Sequence, residues 1–113
     1  MSLAIPPVII SEDVAQVVNE GGSVIIICQE SVSKKGTSAV GKWIYEVVSA
    51  DKKSKRLLVY KVRNKPETSL TVSGVASKLM LWGFPGLIMP FEKGQCFELF
   101  KDGRYLVDWR SDS

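Results

Sequence analysis

The run QCFELFKDGRYLVDW, residues 95–109, constrains this chain more than any other stretch. Phe97 and Leu99 alternate with Cys96, Glu98 and Phe100 before the Asp102-Gly103 pair. Tyr105, Val107 and Trp109 alternate with Arg104, Leu106 and Asp108 after it. Alternation at period two marks strands, and Asp-Gly supplies the positive-φ positions of a tight hairpin turn. The upstream sequence must therefore offer a sheet that such a hairpin can join.

It offers several candidate strands. Ser23 to Gln29 is dense in β-branched residues on both faces and reads as a buried central strand. KWIYEVVS at 42–49 and RLLVYKVR at 56–63 flank a polar ADKKSK turn, which predicts a second hairpin. Residues 31–41, rich in Ser, Gly and Lys, read as a loop. Pro66 ends the second hairpin, and Thr68 to Val72 reads as an extended link or a short edge strand. Residues 87–91, interrupted by Pro90, read as another edge strand.

Two helices fit between these runs. Ser11 is the expected N-cap of the first, ahead of Glu12 and Asp13. Val14, Ala15, Val17 and Val18 give it an apolar stripe, and Gly21-Gly22 ends it. Ser73 is the expected cap of the second, which spans Gly74 to Trp82. Its stripe is Val75, Leu79 and Trp82, flanked by Ala76 and Met80, and Gly83 stops it. The predicted order is α-β-β-β-α-β-β-β. That is a single α+β domain over residues 1–113, mainly an antiparallel sheet with two helices packed on it. Residues 1–10 are expected to form an extended arm, in which Val8, Ile9 and Ile10 make a short strand or a packing segment, and residues 110–113 a frayed tail.

With 113 residues, 45% hydrophobic and 24% charged, the chain can bury one core without staples and lies far from disordered composition. No apolar run approaches the roughly 20 residues of a membrane-spanning helix. The amino terminus lacks the basic region of a signal peptide. No membrane partner is expected, and the expected location is cytoplasmic. Cys28 and Cys96 each sit in an apolar run and read as buried reduced thiols, although spacing alone leaves a disulfide open.

The chain contains no histidine, which removes the commonest general base and metal ligand. Glu92 with Glu98, or Asp102 with Asp108, are carboxylate pairs that nothing in their spacing brings together. Neither GFPG at 83–86 nor EGG at 20–22 is a phosphate-cradling loop; both fit helix ends. The expectation is a protein without catalytic residues, metal or cofactor.

Charge is the asymmetric feature. Residues 1–33 carry −4, residues 34–78 carry +8, and residues 79–113 carry −1. Lys52, Lys53, Lys55, Arg56, Lys61, Arg63 and Lys65 are concentrated on and around the predicted 42–63 hairpin. A basic hairpin of this kind docks on a DNA or RNA backbone through phosphate neutralisation, if its cations share one surface. The competing expectation is a self-associating interaction module, a homodimer or a binder of an acidic protein. Its interface would be the apolar residues Met80, Trp82, Phe84, Met89 and Phe91.

Overall fold

The computed structural model describes residues 7–63 and 65–110. Strand β1 is Val8–Ile9, helix α1 Ser11–Asn19, β2 Ser23–Lys35, β3 Ser38–Val48 and β4 Lys55–Leu58. Strand β5 is Ser69–Thr71, helix α2 Val72–Leu81, β6 Gln95–Phe100 and β7 Tyr105–Trp109. The strands form one sheet in the order β1-β4-β3-β2-β6-β7, with β5 also paired to β3. Every pairing is antiparallel except β1 with β4. This is an α+β fold, as the sequence predicts.

Both predicted hairpins form. Val48 pairs with Lys55 across the 49–54 turn, and Leu99 pairs with Tyr105 across the 100–104 turn. In the second turn only Gly103 takes positive φ, at 93°. Gly103 N–H donates to Phe100 O, and Phe100 N–H donates to Arg104 O. The closure is thus a three-residue loop with Gly at its left-handed position, not a two-residue turn.

Four expectations are corrected. Residues 31–41 are not a loop. They extend β2 and β3 into a ribbon closed at Lys35↔Ser38, with Gly36 at φ 66°. Most of the ribbon is exposed on both faces, so it lacks the alternation by which a strand is recognised. The 56–63 strand ends at Leu58, with an isolated bridge from Val59 to Pro66. Residues 87–91 form no strand; Met89 and Pro90 fold into the core, and Pro90 O accepts from the Trp43 indole at 2.8 Å. Of the two forms expected within the arm, the strand is the one that occurs, Val8–Ile9 beside Leu57 and Leu58; the fourth correction is at the tail. Arg110 of the expected tail is fastened by its N–H to Gly94 O at 2.7 Å. The remaining arm and tail residues, 1–6 and 111–113, lie outside the described residues.

Both helices pack on one face of the sheet. There Val14, Val18, Val75, Leu79 and Trp82 meet Val24, Ile26, Cys28, Trp43, Tyr45, Val47, Leu58 and Leu99. The helix caps differ from expectation. Ser11 is already inside α1, and its hydroxyl accepts from the Trp82 indole. Thr71, not Ser73, caps α2 by accepting from Gly74 N–H at 3.0 Å. Each helix ends in a paired closure of orphan carbonyls: Gly22 to Val17 and Gly21 to Val18, then Phe84 to Leu79 and Gly83 to Met80.

Among the described residues, no helix lies on the opposite face. Ile25, Ile27, Val48 and Cys96 form a small second cluster there, with Ile44 against it. Arg110 Nη2 reaches Glu46 Oε1 at 2.6 Å, an ion pair that joins the end of β7 to β3. Cys28 and Cys96 are both buried thiols. Ile27, not Cys28, is opposite Cys96, so the two thiols project to opposite faces and the sheet itself keeps them apart.

Candidate functional site

The seven basic residues of the expected docking surface are divided between two turns and strand β4. Lys52 and Lys53 occupy the turn between β3 and β4. Lys61, Arg63 and Lys65 follow the far end of β4. The strand between them, at about 3.3 Å per residue, separates the groups by more than the reach of one contact. Lys55 points to the uncovered face, opposite Val48, while Arg56 points to the helix face, opposite Val47. Arg56 is half-buried, and its Nε has no hydrogen-bond partner among the described residues.

One of these charges is also paired locally. Lys61 pairs with Glu12 at 3.4 Å. Asp51 sits inside the lysine turn, where its carboxylate accepts from Ser49 Oγ and Lys53 N–H. Those two bonds hold its carboxyl below the usual range. Lys52 takes φ 63° to let the turn close around it. The lysine cluster is a turn organised by an acid.

The expected apolar interface divides as well. Trp82, Phe84 and Met89 are core residues, so their surface is already used. Met80 and Phe91 are exposed, Met80 at the outer side of α2.

What the structure exposes instead is β7. All five of its residues are exposed, and four of them are the large apolar Tyr105, Leu106, Val107 and Trp109. Among the described residues, strand β7 is the last in the sheet and is paired only with β6. The bonds Phe100 N–H to Arg104 O and Arg110 N–H to Gly94 O fix the ladder's phase. Residues 104, 106, 108 and 110 turn their backbone groups toward β6, which leaves those of Tyr105, Val107 and Trp109 facing outward. The Trp109 N–H is taken by the Asp108 carboxylate at 2.8 Å.

The opposite edge is β1, only two residues long. Short edge strands, lysines and prolines are the usual devices against strand addition, and β7 has none of them. On the helix side of β7, Tyr105 stacks on Phe97 with centroids 5.8 Å apart. Beside it opens an apolar cleft of about 240 Å³ lined by Phe84, Leu87, Leu99, Gly103 and Tyr105, among others. On the other side Arg104 lies over the Phe100 ring at 4.9 Å and bonds Asp102 at 2.7 Å.

The alternation at 105–109 identifies this strand but does not by itself mark it as a site. A further signal was present: apolar residues at both parities, 105, 107 and 109 but also 106, which one covered face cannot use.

Among the described residues, no group of three His, Cys, Asp or Glu side chains could hold a metal ion, and no helix is long and apolar enough to cross a membrane. No family model, curated protein or solved structure matches the chain.

Proposed function

We infer that the protein is a non-enzymatic interaction module that recruits a polypeptide by strand addition along β7. The observation that carries this reading is an edge strand with outward backbone groups and four exposed apolar side chains. An extended peptide laid beside such an edge gains main-chain hydrogen bonds, and alternate side chains give it selectivity. The apolar cleft next to Tyr105 supplies a pocket for one of them. Separated cations support nucleic-acid docking less well than a shared surface would. Two buried thiols on opposite faces suit a reducing, cytoplasmic setting.

The test is selection from a library of displayed extended peptides, followed by Val107→Pro. Proline at this outward position removes one edge donor and leaves the bonds to β6 untouched. Selected peptides are expected to protect the Tyr105 and Val107 amides from exchange. Val107→Pro is expected to weaken binding about tenfold, the cost of a lost bond and a bent edge, with little change in Tm. A library that yields no binder, together with no self-association, rejects the reading.

A further inference from the structure

We propose that the strand added to β7 is β7 of a second copy of this chain, in a two-fold symmetric dimer centred on Leu106. The inference rests on the strand-addition reading and names its partner.

The argument begins with symmetry. Two identical edges pair antiparallel about a two-fold axis normal to the sheet, which keeps each side chain on its own face. Facing residues must then share parity. Within β7 this admits centres at Leu106, Val107 and Asp108. Centring on Val107 sets Arg104 against the partner's Arg110 and Leu106 against the partner's Asp108. It also needs the Trp109 N–H that Asp108 already occupies. Centring on Asp108 brings two carboxylates face to face.

Centring on Leu106 gives a different pattern. Arg104 faces the partner's Asp108 on both sides of the axis. Tyr105 faces the partner's Val107, and Leu106 faces the partner's Leu106. The backbone bonds are exchanged between Tyr105 and the partner's Val107, whose groups point outward. The segment RYLVD is charge-complementary to itself read backwards, and opposite charges directly across a strand pair are favourable. In the same register the partner's Trp109 lies across from Gly103. Gly103 lines the apolar cleft of about 240 Å³ and has no side chain to obstruct it. The indole is thereby delivered to that apolar cleft on the helix side of β7, in the manner of an aromatic anchor at an interface.

The test uses the full chain. Sedimentation should show a concentration-dependent dimer. Arg104→Asp and Asp108→Arg should each weaken it about tenfold, since each turns two facing pairs from attraction to repulsion. An equimolar mixture of the two variants restores opposite charges at both pairs and should dimerise like the original protein. Leu106→Cys should form an intermolecular disulfide under mild oxidation, because facing residues that do not exchange backbone bonds lie close enough to bridge. Val107→Cys should not. Cys96 lines the same depression as Leu106, so both cross-linking variants also carry Cys96→Ala, while Cys28 belongs to the core on the other face.

A chain that stays monomeric at millimolar concentration overturns the dimer, and so does a mixture no stronger than its components or cross-linking at position 107 in place of 106. If selected peptides still protect Tyr105 and Val107 in that case, strand addition stands and only the identity of the partner falls.

Discussion

Tyr45 is fully buried, and its hydroxyl meets Ser69 Oγ at 2.6 Å inside the core. Its ring also lies edge-on to Trp82, with centroids 5.4 Å apart. Burial pushes the phenol well above its usual range, and the Ser69 bond offsets this only in part. Tyr45→Phe leaves the buried Ser69 hydroxyl without this partner and is expected to cost about 1–3 kcal/mol at neutral pH. Adding Ser69→Ala should recover part of the loss, because the pair is then replaced by apolar groups. The pH dependence has a definite sign. A folded-state pKa raised above that of the unfolded chain gives stability that is full below about pH 10, the unfolded phenol value, and lost as pH rises beyond it. Urea titrations of both proteins should therefore show the gap between Tyr45 and Tyr45→Phe narrowing in alkaline solution. A constant gap would contradict the burial argument.

At the scale of elements, the cap of α2 separates what the sequence states from what it leaves open. Ser73 and Thr71 are both good capping residues, and the helical stripe begins close to each. The choice falls to Thr71 because β5 pairs through Ser69 and Thr71 with β3, which holds residue 71 in extended backbone at φ −132° and ψ 155°. That contact comes from a distant strand and has no local signature. Thr71→Ala should cost about 1 kcal/mol of stability in thermal or urea unfolding, and Ser73→Ala should stay within about 0.5 kcal/mol. Equal losses would return the cap to Ser73. The same division holds elsewhere. The Asp-Gly hairpin, the central strand and the two helical stripes are written in local periodicity. The 31–41 ribbon is not, because its side chains meet solvent on both faces. Residues 87–91 resemble a strand in composition, yet Met89 and Pro90 serve as core filling under Trp43.

At the scale of the whole molecule, the sheet divides the chain into two unequal sides, and the division was hidden by β2 itself. Val24, Ile26 and Cys28 face the helices, while Ile25 and Ile27 face away from them. A strand apolar on both faces predicts cover on both, but the helices cover only one. For the same reason the candidate site was only half legible. Its strand could be read from alternation, but its position at an uncapped edge depends on strand order. Over the second face the ion pair from Arg110 to Glu46 substitutes for a third layer, and Arg110, Cys96 and Ile25 line one shared depression. The two thiols report on the two sides. Cys28 belongs to the main core cluster on the helix face, and burial raises its pKa, so its labelling requires that core to open. Cys96 lies only beneath side chains such as Arg110, so it should label faster in the native protein, and Arg110→Ala should speed it several-fold without changing Cys28. Mass spectrometry of digests after timed alkylation measures both rates at once. Equal rates for the two cysteines, unchanged by Arg110→Ala, would mean that the sheet opens as one unit and that the ion pair protects nothing.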